Sequence, residues 1–262
     1  MRASVNGVTL YYEDEGAGTP LLLIHGFPLS SKIWRRQIEG LKENFRIIAP
    51  DLRGFGRSDA SPSGYSMDTY ADDIAALLDH LGVENAVVCG MSMGGYVLLN
   101  LLDRHPGLVR GACFMVTRGG ADDEAGKARR TALAEEVLKS GVKVTADLFG
   151  KILFAPGTVA RNPEVAAEVA GIMLGMKREG LAGGLLSMRD RPDYSDRLAG
   201  FDVLSLVIGG EQDQAIPAEE SLVLAKRLPK ASLCLIPEAG HMVMMEQPEA
   251  VNRALADFLR SL

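Results

Sequence analysis

Ser92 stands between two methionines and is bracketed by glycines in the stretch Cys89–Gly95, CGMSMGG. A serine hydroxyl is a weak nucleophile unless a nearby base takes its proton and a third group orients that base. Gly90-Met91-Ser92-Met93-Gly94 fits G-x-S-x-G, a pattern that sets the serine on a sharp strand-to-helix turn. Bulky neighbours would clash on such a turn, and glycines at both flanks let the strand and the helix approach. The apolar run VVC precedes the pattern and a helical pattern follows it, which is the context the chemistry requires.

A base and its carboxylate are then needed. Of the four histidines, only His241 lies well beyond Ser92, in SLCLIPEAGHMVMMEQPE. Asp213 stands just past another apolar run, in LSLVIGGEQDQAIP. Loops at the carboxyl ends of parallel strands converge on one edge of a sheet. Ser92, Asp213 and His241 are therefore expected to meet there as nucleophile, orienting acid and base. Glu211, two residues earlier, stays open as an alternative acid, whereas Asp202 precedes its strand and belongs at the opposite edge. His25 could serve as a base but sits beside the Gly26 turn, and it is assigned a structural role. His80 and His105 end predicted helices, where cap and dipole interactions account for them.

Attack on a carbonyl also needs donors for the developing oxyanion. The N–H groups of Phe27, in His25-Gly26-Phe27-Pro28, and of Met93, at the start of a helix, are the expected pair. One such donor is typically worth about 2.7–4 kcal/mol of transition-state stabilisation. This chemistry calls for no metal and no organic cofactor. Cys89, Cys113 and Cys234 are far apart without metal-ligand spacing and read as buried free thiols, fitting a reducing cytosol. Cys113 could lie near Cys89 if their strands neighbour one another. Within Asp51–Asp59, Arg53, Gly54 and Gly56 read as a tight loop, and Met242–Met245 as packing.

Alternating elements position these residues. Asn6-Gly7 between SV and VTLYYE predicts a hairpin. Strand patterns follow at Leu21–Ile24, Phe45–Ala49, AVVC, Arg110–Val116, LSLVIGG and SLCLIP. Helical patterns cover Ser31–Leu41, Asp68–Leu81, Met93–His105, Ala218–Leu228 and Pro248–Leu262. The turn-rich loop DLRGFGRSDASPSG follows the FRIIA strand. Such βα alternation with continuously apolar strands predicts an α/β fold, a mostly parallel sheet flanked by helices.

Residues 118–199 break the rhythm with helical patterns and no strand. A helix over Asp123–Lys139 is rich in Ala, Glu, Lys and Arg, and Asn162-Pro163 reads as an N-cap with proline at the first position. The expected organisation is a core of residues 1–117 and 200–262 with residues 118–199 inserted as a helical lid. The helix after Pro163 lines up Val165, Val169, Ile172, Met173 and Met176, and this face is expected to cover the Ser92 edge. Met173 and Met176 are accordingly taken as pocket residues, in a largely apolar pocket suited to neutral substrates. Lys177, Arg178 and Arg189 are the basic residues that could fold inward.

The bulk numbers exclude other classes. A chain of 262 residues with 47% hydrophobic and 24% charged residues is ordinary for a soluble globular enzyme. Its net charge of −6 argues against nucleic acid or anionic membrane as a partner. The run Ala86–Leu102 falls short of the roughly 20 apolar residues that a span needs. The N-terminal MRASVNGVTLYYEDEG carries no signal-like apolar core, so a cytoplasmic location is expected.

HGFPLSSKIW, DLRGFGRSD, GMSMGG, GGEQDQAIP and PEAGH stand in an order and spacing that resembles the α/β-hydrolase superfamily across nearly the whole chain. Within it the chain looks most like small esterases, enol-lactonases and cofactor-free haloperoxidases or perhydrolases. Haloalkane dehalogenases and epoxide hydrolases carry aspartate at the elbow, and Ser92 departs from them. The resemblance implies hydrolysis of a small ester or lactone through an acyl-enzyme. Perhydrolysis, aminopeptidase-like amide cleavage and a slow-turnover ligand receptor are the alternatives.

Overall fold

Positive φ at Asn6 and Gly7 (45° and 73°) folds β1 (Arg2–Val5) back on β2 (Val8–Glu15) as an antiparallel hairpin. The computed structural model describes residues 1–61 and 63–262; Pro62, in the turn-rich loop, lies outside the described residues. The apolar runs form β3 (Pro20–Ile24), β4 (Arg46–Pro50), β5 (Ala86–Met91), β6 (Val109–Met115), β7 (Ser205–Gly210) and β8 (Ala231–Ile236). They assemble into one eight-stranded sheet of order β1-β2-β4-β3-β5-β6-β7-β8. Pairing is antiparallel from β1 through β2 to β4 and parallel across the rest.

Burial explains the unbroken apolar character of the central strands. Every residue of β5 and β7 is buried, because helices cover the sheet. Those helices include α1 (Arg35–Leu41), α2 (Met67–His80) and α3 (Met93–Arg104). The expected helix from Ser31 is divided: Ser31–Trp34 is a 3-10 turn and the α-helix begins at Arg35. Ser66 caps α2 by accepting the Thr69 N–H at 3.0 Å. Cys89 and Cys113 are register partners on β5 and β6, and all three cysteines are free.

Between β6 and β7 the described residues form no strand but five α-helices: α4 (Glu124–Ser140), α5 (Lys143–Phe149), α6 (Thr158–Arg161), α7 (Pro163–Leu174) and α8 (Arg178–Arg189). Asp123 caps α4 through the Gly126 N–H at 2.7 Å, and Asn162 caps α7 as its sequence suggests. Downstream lie α9 (Ala218–Arg227), α10 (Val243–Glu246) and α11 (Pro248–Arg260). No helix among the described residues is long and apolar enough to cross a membrane.

The strand order also locates a crevice. β3 has β4 on one side and β5 on the other, so the winding direction reverses there. Loops leaving two such strands part to opposite faces, and ligands bind in the opening at their carboxyl ends.

Candidate active site

Ser92 follows β5 at this opening, with φ 53° and ψ −114°. A non-glycine residue in that region costs on the order of 1–3 kcal/mol and persists only where its surroundings hold it. Three contacts do so here. The Ser92 N–H donates to the Met115 carbonyl at 2.9 Å. Its carbonyl accepts the Thr117 hydroxyl at 2.8 Å and the Gly95 N–H at 2.9 Å. The flanking glycines are needed for close approach: a methyl on Gly90 would run into the Gly94 carbonyl, and one on Gly94 into that of Ile24.

The loops after β7 and β8 bring the predicted acid and base together. Asp213 Oδ2 accepts from His241 Nδ1 at 2.7 Å, and both side chains are buried. Asp213 Oδ1 accepts the N–H groups of Ala215 (2.8 Å) and Ile216 (2.9 Å), which fixes the carboxylate. A proton on Nδ1 leaves Nε2 of His241 as an acceptor. Glu211 is exposed and makes no hydrogen bond to His241, and Asp202 pairs with Lys230 at 2.7 Å. Of the acids considered, only Asp213 meets the imidazole.

His25 is occupied on both sides of its ring. Nε2 accepts the Leu52 N–H at 3.0 Å, so the proton sits on Nδ1, which bonds the Gly26 carbonyl at 2.9 Å. Burial lowers its pKa against the opposing pull of Asp51 and of that carbonyl, which keeps it neutral. His25 thus pins the turn that carries Phe27. Among the described residues the Phe27 N–H has no acceptor. The Met93 N–H, in the first residue of α3, has no intrahelical acceptor.

Ser92, His241 and Phe27 line one cavity of about 630 Å³. Ala215 and Ile216 complete its sheet-side wall, and residues of α4, α5 and α8 supply much of the rest. One expectation about this pocket is corrected. Met173 and Met176 do not line it: both are buried, α7 packs against α5 and α6, and Met176 Sδ accepts the Gly56 N–H at 3.5 Å. The face of α7 is indeed covered, but by other helices. The lining is largely apolar, as expected, but Arg118, Arg129 and Arg130 also line it, together with Asp122. Lys177, Arg178 and Arg189 turn elsewhere, to the Ser58 carbonyl, Glu179 and Asp190.

Two further residues escaped the sequence reading. Thr117 braces the Ser92 carbonyl from the end of β6. Glu246 ties the His241 loop to the helical segment: Oε2 accepts the Gly240 N–H (2.8 Å), while Oε1 accepts the Ala155 N–H (2.9 Å) and the Thr158 hydroxyl (2.7 Å). Neither belongs to a recognisable motif. Among the described residues no group of three or more His, Cys, Asp or Glu is placed to hold a metal ion.

Comparisons with known proteins agree with this architecture. The profile of the α/β hydrolase fold family matches residues 19–248. A bifunctional esterase/perhydrolase of Acinetobacter calcoaceticus is 31% identical over 98% of both chains. A thermophilic esterase of Thermogutta terrifontis, solved with malate bound, is 36% identical with a TM-score of 0.97, covering 100% of this chain and 98% of its own. The enol-lactonase of Burkholderia xenovorans is 25% identical with a TM-score of 0.92, covering 99% and 100%.

Proposed function

Since the chain belongs to the α/β-hydrolase fold family, a family of hydrolases, we propose that it is a serine hydrolase cleaving a small carboxylic ester or lactone through an acyl-enzyme. One observation carries this reading: a strained Ser92 and a His241 hydrogen-bonded to Asp213 line the same cavity. His241 Nε2 takes the hydroxyl proton as Ser92 Oγ attacks the carbonyl carbon, and Asp213 holds the imidazole and supports its positive charge. The N–H groups of Phe27 and Met93 receive the oxyanion. Collapse releases the alcohol, protonated by His241, and leaves the acyl group on Ser92. Water then attacks, with His241 again as base, and frees the acid. A lactone follows the same course, its alcohol remaining attached to the acyl chain.

Residues 118–199 serve as the lid that shapes the cavity. Three free thiols suit a cytoplasmic setting. The esterase/perhydrolase relative supports a second reaction on the same serine, attack of peroxide on the acyl-enzyme, which a peroxide-dependent halogenation assay measures.

A fluorophosphonate probe tests the nucleophile. It is expected to label Ser92, and Ser92→Ala is expected to lose both label and ester hydrolysis while its circular dichroism stays unchanged. Labelling that persists in Ser92→Ala would move the nucleophile elsewhere.

A further inference from the structure

The whole chain carries a net charge of −6, yet the wall of the Ser92 cavity is basic. α4 turns Gly126, Arg129, Arg130 and Leu133 toward it, the spacing of one helical face. Arg118, from the segment after β6, joins them, and Asp122 is the only carboxylate in the lining among the described residues. That carboxylate is already shared among three guanidinium groups: Arg118 Nη2 at 2.6 Å, Arg191 Nη2 at 2.8 Å, and Arg130 through its Nε. Arg191 is itself spent, lying over the Tyr96 ring at 4.4 Å and donating to the carbonyls of Met188 and Gly120.

The remaining donors have no protein carboxylate or carbonyl partner among the described residues. Arg118 Nε is buried with no hydrogen-bond partner, and Arg129 has no carboxylate within ion-pair distance among the described residues. Arg130 Nη1 reaches only the Met188 sulfur, at 3.5 Å. Glu220 on α9 shares a separate cleft with Arg118 but forms no ion pair with it among the described residues. Guanidinium donors free of protein partners beside the Ser92 cavity suit a planar oxyanion, because their fork matches a carboxylate with two parallel hydrogen bonds.

We propose that Arg118, Arg129 and Arg130 form an anion subsite, and that the substrate is an ester or lactone that also carries a free carboxylate. This rests on the serine-hydrolase reading and adds the charge of the substrate to it. Asp122 and Arg191 are the scaffold that fixes the subsite, and Arg129, exposed at the cavity wall, is the group most open to the incoming anion.

The test uses pairs of esters differing only in that charge: 4-acetoxybenzoate with its methyl ester, and mono(4-nitrophenyl) adipate with its methyl ester. The first pair places the anion on the alcohol part and the second on the acyl part. The quantity read is the ratio of kcat/KM for the acid to that for its neutral ester, in the wild type, Arg129→Gln and Arg118→Gln. In at least one pair the wild-type ratio is expected to exceed about ten and to fall about tenfold in Arg129→Gln, the scale of one charge-assisted pair. Succinate is expected to inhibit competitively and more tightly than inorganic phosphate; the reverse order would overturn the carboxylate assignment. Wild-type ratios at or below one in both pairs, or ratios unmoved by both substitutions, would overturn the subsite while Ser92-dependent hydrolysis stood. If no ester showed Ser92-dependent turnover, the hydrolase reading beneath the proposal would fail as well.

Discussion

Asp213→Asn isolates the least visible part of the proposed machinery, and its effect can be worked out from the hydrogen bonds. Asp213 accepts three: two backbone N–H groups on Oδ1 and His241 Nδ1 on Oδ2. Asparagine offers one oxygen and one NH2 group. The two backbone N–H groups cannot act as acceptors, so the amide oxygen must face them and its NH2 must face His241. Nδ1 then has to accept, which moves the imidazole proton to Nε2, the atom that should receive the serine proton. The fold keeps all three hydrogen bonds, so stability changes little, whereas the base is in the wrong tautomer. The corresponding change in serine proteases lowers kcat by about 10⁴, equivalent to about 5 kcal/mol of barrier. The assay is kcat with a neutral aryl ester, beside thermal unfolding of both proteins. A kcat within tenfold of wild type, with Glu211→Gln inactive instead, would refute both the acid assignment and this account of it.

Glu246→Gln should act on the same histidine from the other side. Its amide can serve the Ala155 and Thr158 donors or the Gly240 N–H but not all of them, at a cost of about 2–3 kcal/mol. A kcat at least tenfold lower is expected well below Tm, whereas Thr158→Val, which spares Gly240, should lower Tm with a smaller loss of kcat; equal kcat values in the two variants would contradict a positioning role. Asp122 predicts an acid-dependent stability. Burial raises its pKa, but hydrogen bonds from Arg191 and Arg130 and their charges outweigh this and hold the carboxyl far below its usual range. A depressed folded-state pKa stabilises the fold above the unfolded value of about 3.9, and that stability is lost as pH falls through the folded value. The urea-stability gap between wild type and Asp122→Asn should therefore narrow by on the order of 2 kcal/mol from pH 5 to pH 2; a constant gap would contradict the ion cluster.

Residues whose placement follows from their own loop were legible in the sequence. Ser92, Asp213 and His241 each stand just after an apolar strand, and parallel strands deliver their ends to one edge without further information. Glycine spacing at Gly90 and Gly94 reported a close approach that the backbone confirms. The residues of the helical segment between β6 and β7 were not legible for a physical reason. α4 carries charge on most of its circumference, so periodicity could not say which face turns inward; that is set by packing against α8. α7 has a clear apolar face, and Val165, Val169, Ile172 and Met173 are buried as its spacing predicts. Apolar spacing states that a face must be covered but not by what, and here α5 and α6 pack against it.

The same division bears on what decides the substrate. Phe27, Ser92, Ala215, Ile216 and His241 come from sheet-edge loops, whose geometry is fixed by strand order and by the clamps on Ser92 and His241. Arg118, Arg129, Arg130, Leu133, Phe149 and Met188 come from the inserted segment, where no strand register constrains them. A change in the first set alters the position of the reacting atoms, and a misplacement of about 1 Å there can cost 10² in rate. On the same proposal, a change in the second alters which molecule is held while leaving the proposed nucleophile, base and oxyanion donors in place. On the proposed mechanism, chemistry and specificity therefore sit on separate parts of the chain, and the proposed preference for a charged ester is to be tested on α4 and the segment leading into it rather than at the serine turn.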